Sequence, residues 1–360
     1  MPRIISVGTG VPEHAISQDE TMEFASQLFS NSIKDLGRLL KVFHNGEIEK
    51  RHFVKPLEWY RQKHSFSHKN DEFIDVAVNL SLEAIINCLE STRLRKKISY
   101  EEIDAIIMIN TTGMATPSLD ARIMNKLPFS QNTKRIPIWG LGCAGGAAGL
   151  SRAYEYCRAF PNAKVLVVAV ELCSLTFQKD DLSKSNIIGT SLFADGAAAA
   201  LIGGDAVDFS EIIERKIPSI IDTQSTLMKD SLDVMGWNIK DNGLYVVFSK
   251  DIPSIVKEWL KPEVEQLLLH NQLKISHINH FIAHPGGKKV LKAYEEALGF
   301  PPERTATSLE VLRKYGNMSS VTVLFVLERF LQKEIHHGDY GIIAALGPGF
   351  SSELLLVRWE

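Results

Sequence analysis

The feature that most constrains the fold of this chain is a repeated order of strand, turn and helix. An apolar strand pattern, IDAIIMIN at residues 103–110, leads through TTGM into a predicted helix, and INHFIA at residues 278–283 leads through HPGG into another. The chain advances 40 residues from Ile103 to Cys143 and 39 residues from Ile278 to Asn317. Such an agreement in spacing indicates an internal duplication. We therefore expect an α/β fold of two βαβαβ-type halves, residues 1–220 and 221–360, whose strand ends meet at one central place.

Cys143 stands at the predicted start of a helix in the first half. Residues 136–140 are predicted as a short apolar strand, a glycine turn follows, and residues 144–156 carry Ala, Leu and Tyr at helical spacing. The unpaired backbone N–H groups and the positive end of the helix dipole favour a thiolate over a thiol at such a position. The alternative is an inert buried cysteine, which is the usual role of a free Cys.

His284 and Asn317 are predicted at turns of the second half that would face this cysteine. A thiolate attacks carbonyl groups, and a nearby histidine can keep it ionised as an imidazolium partner and can serve as a base. An asparagine amide can donate hydrogen bonds to a developing oxyanion. Taken alone, His284 would more often be a core histidine and Asn317 a helix cap. On a duplicated scaffold the three residues predict a catalytic set, whereas a papain-like protease would show no duplication.

The composition and net charge of the chain limit which binding partners and which cellular compartment we expect. The 360 residues carry a formal net charge of −3 and 45% of them are hydrophobic, which predicts a globular protein without a nucleic-acid partner. No apolar run reaches the roughly 18 residues of a membrane span, and the start, MPRIISVGTGVP, lacks the apolar segment of a signal peptide. The four cysteines lack metal-ligand spacing. We expect a cytoplasmic protein with no stable membrane insertion and no metal.

Four other segments carry predictions that the fold can check. Residues 18–43 are predicted as one amphipathic helix, on which Arg38 and Lys41 either form a solvated face or bind phosphate. Residues 57–70 are predicted as loop. The run VLVVAVEL at residues 165–172 is predicted as a central strand buried on both faces. Residues 207–242 contain strand fragments and a polar stretch and are predicted as the linker to the second half.

Four motifs in one order resemble those of the type III polyketide synthases. They are GLGCAGGAAGL at residues 140–150, IAHPGGKKVL at 282–291, YGNMSS at 315–320 and GPGFSSE at 347–353. The resemblance is to the chalcone- and stilbene-synthase-like branch of the thiolase superfamily, and it covers nearly the whole chain. It implies a thiolase-like layered αβαβα core and a homodimer. Ketoacyl synthase III enzymes differ in carrying HQAN-like residues where this chain has HPGG, and thiolases use a second Cys.

The resemblance implies a role for each residue of the predicted site. Cys143 would take an acyl group from its CoA thioester, while His284 and Asn317 hold the malonyl-CoA carbonyl as CO2 is lost and the enolate extends the acyl group by two carbons. Acyl-CoA and malonyl-CoA are then substrates, and no further cofactor is implied. Arg38 and Lys41 match, more loosely, basic residues against the CoA phosphates. The implied substrate-pocket positions are the gatekeeper Phe193, Thr111 and Thr112 of the cyclisation region, Gly286, Gly287 and Ser319, and the cavity loop Gly347, Pro348 and Gly349.

Differences from the plant members of the family concern the pocket. Val246 stands where they have a second gatekeeper phenylalanine, although Phe248 follows two residues on. Thr116 stands where they have a Met that crosses the dimer interface, and Cys173 where they have a Thr. The changes at 246 and 116 replace large side chains with smaller ones, so we expect a roomier pocket and a long-chain acyl starter, as in bacterial members that make alkylpyrones. The predicted function is iterative extension to a tri- or tetraketide that closes to a pyrone or a resorcinol-type ring.

Three other functions stay open on the sequence. One is the use of an aromatic starter, as in chalcone and stilbene synthases. Another is a single extension, as in ketoacyl synthase III enzymes. The third is a catalytically silent acyl-CoA-binding partner of a larger enzyme complex.

Overall fold

The computed structural model describes residues 1–30, 36–249 and 251–360. The strands in these ranges are β1 Arg3–Gly10, β2 His14–Ser17, β3 Lys50–Phe53, β4 Ala105–Asn110, β5 Lys134–Trp139, β6 Lys164–Leu172, β7 Asp195–Gly203, β8 Pro218–Leu227, β9 Met235–Lys240, β10 Gly243–Phe248, β11 Ile278–Ala283, β12 Tyr340–Gly347 and β13 Ser351–Trp359. The α-helices are α1 Gln18–Phe29, α2 Leu36–Asn45, α3 Leu57–Tyr60, α4 Phe66–Leu89, α5 Leu119–Met124, α6 Gly145–Ala159, α7 Lys184–Leu192, α8 Ile252–His270, α9 Lys288–Leu298, α10 Ala306–Tyr315 and α11 Thr322–Gln332. Short 3₁₀ turns, Gly142–Ala144 and Ser319–Val321, directly precede α6 and α11.

One mixed sheet of nine strands runs in the order β11-β12-β13-β8-β1-β7-β6-β4-β5. Inside this sheet β1 and β8 are neighbours and pair through Arg3 and Ser219. From this pair, the same order of strand pairings repeats toward each edge of the sheet. On one side β1–β7 and β7–β6 are antiparallel and β6–β4 is parallel. On the other side β8–β13 and β13–β12 are antiparallel and β12–β11 is parallel. The repeated pairing confirms the predicted α/β fold of two duplicated halves.

The sheet halves and the helices stack in five layers. The middle layer holds α6 and α11, where Leu150 and Leu324 share one apolar core with residues from both sides of the sheet. The outer face of the first half is covered by α4, and that of the second half by α8 and α9. Because Ile107 faces the middle layer and its neighbour Ile106 faces α4, these strands are apolar at nearly every position. The layer order confirms the predicted αβαβα core.

The prediction of a linker over residues 207–242 is wrong. This segment holds β8, which pairs with β13 along its whole length, and β9, which forms a hairpin with β10. Most side chains of β8 beyond Ile221 are polar and only half-buried. Main-chain hydrogen bonds to β13 fix the strand, so its sequence lacks the apolar pattern by which a strand is recognised.

Two local predictions near the N-terminus also need correction. Residues 57–70 are not loop, because they contain α3 and the first turn of α4, which Ser65 caps by accepting a hydrogen bond from His68 N. The single helix predicted over residues 18–43 is two helices, α1 and α2, and residues 31–35 of that prediction lie outside the described ranges. The central strand predicted at 165–172 is confirmed as β6, which is buried at every position except Lys164.

None of the helices in the described ranges has both the length and the apolar character needed to cross a bilayer.

Candidate active site

The turn that carries Cys143 lies between β5 and α6 and is shaped by Gly142. Gly142 has a φ of +47°, in the left-handed region, and a Cβ at this position would lie 2.7 Å from Cδ of Pro348. Both the backbone conformation and the close contact therefore require glycine. The amide of Gly142 donates to Oγ1 of Thr111 at 3.1 Å. The turn is thus fixed by the residue that follows β4 and by the loop between β12 and β13.

Two glycines allow α6 to approach the turn that precedes α11. A Cβ at Gly146 would lie 2.2 Å from the carbonyl oxygen of Ser320, and one at Gly145 would lie 3.1 Å from Ser320 Cβ. The N-terminal ends of the two middle-layer helices therefore meet. Across this contact, Sγ of Cys143 lies 3.6 Å from Oγ of Ser319 and donates a hydrogen bond to it. The duplication brings one predicted site residue from each half into contact.

Asn317 is held against this pair by its backbone and its side chain. The backbone pairs on both sides with the segment between α7 and β7, with two N···O distances of 2.9 Å. The side-chain Nδ2 donates to the carbonyl of Gly286 at 3.3 Å, and Oδ1 accepts from the amide of Ser319 at 2.8 Å. A side-chain hydrogen bond with Asn317 also lowers the pKa of the Cys143 thiol. The amide of Asn317 therefore lies beside the sulfur.

His284 directly follows β11 and is almost fully buried. Its carbonyl accepts from the amide of Gly286 at 3.0 Å, so a tight turn joins His284 to the residue that binds Asn317. Neither ring nitrogen has a hydrogen-bond partner among the described residues. Burial lowers the pKa of His284 to about 3, so the imidazole is neutral near pH 7. A neutral ring offers one N–H donor and one acceptor nitrogen.

The prediction that Cys143 is held as a thiolate is wrong for the protein without substrate. Burial raises the pKa of the thiol to about 12, and the Glu171 carboxylate also raises it, while the hydrogen bonds with Ser319 and Asn317 lower it. The neutral His284 supplies no positive charge to oppose these effects. Although part of the Cys143 side chain is exposed, the loss of hydration around its sulfur outweighs the helix N-terminus. The site therefore holds a neutral thiol and a neutral imidazole.

Glu171 is a buried carboxylate that the sequence reasoning did not select. Its Oε2 accepts from the amides of Thr111 and Thr112, both at 3.0 Å, and from Oγ1 of Thr112 at 2.8 Å. Its Oε1 accepts from Oγ of Ser320 at 2.6 Å. Burial raises the pKa of Glu171 to about 7. The one charged residue in the otherwise apolar run VLVVAVEL could have flagged it. It ties the predicted pocket residues Thr111 and Thr112 to the second half.

Phe193 pairs with Asn317 in a backbone bridge and lines an apolar cavity of about 40 Å³. Its ring centroid lies 5.5 Å from that of Phe248 and 5.7 Å from that of Trp237. Val246 and Cys173 line the same cavity. Trp237 was missed because it lies in the segment predicted as linker. The other lining residues are Thr21, Phe24, Arg51, Phe53, Leu57, Tyr60, Ser174, Thr176, Phe177, Asn186, Gly189 and Thr190.

The remaining predicted positions divide into two groups. The cavity loop 347–349 packs on the cysteine turn, because a Cβ at Gly347 would lie 2.6 Å from Ala144 Cβ. Gly287 caps the N-terminus of α9, next to the Gly286 carbonyl that binds Asn317. Arg38 and Lys41, by contrast, lie exposed on α2, one helical turn apart. That helix shares a small apolar cluster with α1 and α7, so the two cations lie outside the helices that flank Phe193.

Two family models match the chain. The N-terminal domain of the chalcone and stilbene synthases matches residues 2–206, and the C-terminal domain of the same family matches residues 219–359. The chain belongs to the chalcone and stilbene synthase family. It is a type III polyketide synthase, an acyl-transferring condensing enzyme.

Relatives of this type III polyketide synthase resemble it along its whole length. It is 50% identical to a Bacillus subtilis (strain 168) protein whose name designates it a candidate chalcone synthase, over 100% of this chain and 99% of that protein. It is 34% identical to the 1,3,6,8-tetrahydroxynaphthalene synthase of Streptomyces peucetius subsp. caesius, over 99% and 93% of the two chains. A crystal structure of 1,3,6,8-tetrahydroxynaphthalene synthase from Streptomyces coelicolor A3(2), a bacterial type III polyketide synthase, matches with a TM-score of 0.91, 29% identity and 99% coverage of both chains. The family predicted from the motifs is confirmed.

For the synthase without substrate, we expect alkylation of Cys143 by iodoacetamide to rise about tenfold per pH unit between about pH 7 and about pH 10. A thiol with its pKa raised to about 12 is protonated throughout this range, and only the thiolate reacts. Cys143 should still be labelled first of the four cysteines, because it is partly exposed and the other three are buried. Timed labelling followed by peptide mass spectrometry measures both effects. A rate that stays flat across this range would indicate a thiolate–imidazolium pair instead.

Proposed function

We propose that this synthase holds a long-chain acyl group as a thioester on Cys143 and extends it repeatedly with malonyl-CoA. The tri- or tetraketide formed then closes to an alkylpyrone or a related ring. The observation that carries the proposal is the clustering of Cys143, Ser319 and Asn317 beside the cavity lined by Phe193. Each chemical step can be assigned to groups in this cluster.

In the first step, Sγ of Cys143 attacks the carbonyl carbon of the acyl-CoA thioester and CoA leaves. Both Cys143 and His284 are neutral without substrate, so the thiol proton has to move as the new C–S bond forms. His284 is proposed to accept this proton on its unpartnered ring nitrogen and to pass it to the departing CoA sulfur. The acyl group moves from the CoA sulfur to Sγ of Cys143, and no net charge is created in the site.

In the second step, malonyl-CoA loses CO2 and leaves an enolate whose negative charge lies on the thioester oxygen. Nδ2 of Asn317 and the N–H of neutral His284 are the proposed donors to that oxygen. The enolate carbon then attacks the acyl thioester on Cys143, so a C–C bond forms and the sulfur leaves. These steps involve no net oxidation or reduction, so neither a metal nor a redox cofactor is part of the proposal.

The proposed long-chain starter follows from the chemistry of the cavity beside Phe193. Val246 and Cys173, which stand at two positions where the chain departs from plant members, both line it. Burying a methylene group is worth about 0.8 kcal/mol, so each further carbon that enters the cavity should strengthen starter binding about fourfold. The lining of this cavity is predominantly apolar, which suits an alkyl chain.

Incubating the purified synthase with malonyl-CoA and acyl-CoAs of graded chain length tests this function. We expect mass spectrometry to show tri- and tetraketide ring products, with the largest kcat/KM for long alkyl starters. Products of a single extension would indicate a one-round ketoacyl synthase. A product built from malonyl-CoA alone, with no alkyl starter incorporated, would overturn the starter assignment and leave the family assignment intact.

Substituting Val246→Phe should shift the preferred starter to shorter chains. The benzyl group would project into the cavity that Phe193 lines and would remove space for the distal carbons. We expect kcat/KM for the longest accepted starters to fall at least about tenfold, which corresponds to roughly two lost methylene groups, while short starters react as before. Val247→Phe is the matched control, because the neighbouring residue faces the other side of β10. A uniform loss for all starters would contradict the assignment of the cavity.

Arg38 and Lys41 are proposed to bind the phosphates of CoA. Two exposed cations one turn apart on α2 suit an anionic group at the outer side of α7. The measurement is the KM for acyl-CoA in the Arg38→Ala/Lys41→Ala protein. A KM equal to that of the native protein would remove these residues from the proposal.

A homodimer is proposed on the basis of the sheet edge formed by β5. This strand ends the nine-stranded sheet, so one side of its backbone has no partner strand in the described chain. Trp139 and Met114 expose large apolar side chains next to each other, linked through the hydrogen bond from Trp139 to the Gly113 carbonyl. Sedimentation velocity measures the mass of the species in solution, and a species with the mass of one chain at micromolar concentration would exclude the dimer.

A further inference from the structure

Arg51 is a fully buried arginine that none of the steps above uses. It lies on β3, which pairs only with β2 in a small two-stranded sheet outside the main fold. Its exposed fraction is 0%, which is rare for an arginine without a bound partner. Its Nη1 donates to the carbonyl of Thr190 at 2.6 Å and to that of Phe193 at 2.8 Å. These carbonyls belong to the last turn of α7 and the residue after it, so the guanidinium caps the C-terminus of that helix.

The stem of the same side chain packs against the residue before Asn317. Gly316 has a φ of +74°, and a Cβ there would lie 2.7 Å from Cγ of Arg51. On the other side of this contact, Phe193 and Asn317 form a backbone bridge. Arg51 therefore touches both strands of the bridge: its guanidinium holds the carbonyl of Phe193, and its methylene groups lie on Gly316. A shift of Arg51 would move Asn317 relative to Cys143.

The capping of α7 uses only part of the guanidinium of Arg51. Its Nε and Nη2 have no hydrogen-bond partner among the described residues, and buried donors without acceptors are unfavourable. The nearest opposite charge is that of Asp195, whose carboxylate already accepts from Val54 N, Ser174 N and Ser174 Oγ. Removing Arg51 alone would leave the Asp195 carboxylate uncompensated and lower the stability of the fold. The contacts of Arg51 with Phe193 and Gly316 give it a second role, that of positioning these residues.

We propose that Arg51 is a positioning residue for the extension step, because it fixes the Phe193–Asn317 bridge and thereby the donor amide of Asn317 beside Cys143. This inference rests on the proposed function, in which Asn317 acts on malonyl-CoA and Cys143 on the starter. The proposal predicts different effects on the two half-reactions, acylation of Cys143 and decarboxylation of malonyl-CoA. Loss of Arg51 disturbs the step that needs Asn317 and spares the step that needs only Cys143 and His284.

The experiment measures both half-reactions in the full-length protein with Arg51→Lys and Arg51→Met. Acylation of Cys143 by acyl-CoA is followed as a mass increase of the protein, and decarboxylation of malonyl-CoA without starter is followed as formation of acetyl-CoA. We expect kcat for decarboxylation, a reaction that does not use the starter cavity, to fall at least about tenfold with the KM for malonyl-CoA little changed, since a displacement of about 1 Å can cost up to about 100-fold. Arg51 also lines the starter cavity, so the KM for acyl-CoA should rise, but acylation at saturating acyl-CoA should lose much less than decarboxylation. Lysine should not rescue the rate, because one ammonium cannot reproduce the planar fork.

The matched control is Arg93→Lys. Arg93 also donates from Nη1 to a carbonyl in the last turn of a helix, that of Leu331 in α11, but at the end of the helix far from Ser319. Both half-reactions should stay at native rates in this control. If the Arg51 variants lose both half-reactions by the same factor, or lose neither, the positioning role is overturned. If Arg51→Met does not fold, Arg51→Lys decides the question alone. A native protein that neither acylates nor decarboxylates would overturn the proposed function itself, and this inference with it.

Discussion

Cys143→Ala should abolish polyketide formation while malonyl-CoA decarboxylation continues. Without the sulfur no acyl-enzyme can form, and loss of a catalytic nucleophile lowers turnover by about 10⁴-fold or more. The donors proposed for the enolate, Asn317 and His284, stay in place. The side-chain hydrogen bonds lost are the 3.6 Å contact to Ser319 and the one with Asn317, both made by a weakly bonding thiol, so we expect the fold to be retained. The measurements are product formation, the mass of the protein after incubation with acyl-CoA, and release of acetyl-CoA.

The control for this variant is Cys157→Ala, which removes a buried thiol from the same helix. Cys157 lies in the apolar core of α6, away from the cavity and the cluster around Ser319. We expect a modest loss of stability from the smaller side chain and native product formation. An acyl adduct of full stoichiometry on the Cys143→Ala protein would assign the nucleophile to another residue.

Asn317→Asp should slow extension by about 10² to 10³-fold, the usual effect of removing one oxyanion donor. The substitution keeps the shape of the side chain but replaces the Nδ2 donor with an oxygen. That oxygen would face the carbonyl of Gly286, which Nδ2 now binds at 3.3 Å, and an ionised carboxylate would repel the enolate. Acylation of Cys143 does not require this donor, so the starter adduct should still form and accumulate.

Asn87→Asp provides the isosteric control. Its Nδ2 donates to the carbonyl of Thr9 on the exposed side of α4, outside the middle layer. Extension by this variant should match that of the native protein. If Asn317→Asp extends the starter at the native rate, the amide has no part in stabilising the enolate and the assignment fails.

The place of the catalytic candidates could be predicted from the sequence because it depends on local geometry. The repeat spacing placed Cys143 and Asn317 at the starts of equivalent helices, and the structure puts them before α6 and α11, in the layer shared by both halves. A glycine turn followed by a small-residue helix is readable from a sequence, since the conformation it needs excludes other side chains. The family follows from the same motifs.

The ionisation of the site could not be predicted in this way. A helix N-terminus and a histidine are local features that favour a thiolate, whereas the burial that raises the pKa of Cys143 and lowers that of His284 comes from the packing of both halves. The contacts of Glu171 could not be predicted either, because they also depend on how the two halves pack. Its position in an apolar strand indicates a buried charge, but its partner Ser320 lies 149 residues further along the chain. β8 was missed because its strand is defined by pairing with β13, which leaves no apolar pattern in its own sequence.

The contact between Gly146 and the Ser320 carbonyl has a consequence for how such a chain can diverge. The two halves approach each other at their helix starts through glycine on one side and the Ser320 main chain on the other, so a larger residue at position 146 would force them apart. The separation of the two helix starts at this contact is therefore set by backbone dimensions. Starter preference can therefore change through cavity residues such as Val246 while this contact between the halves stays the same.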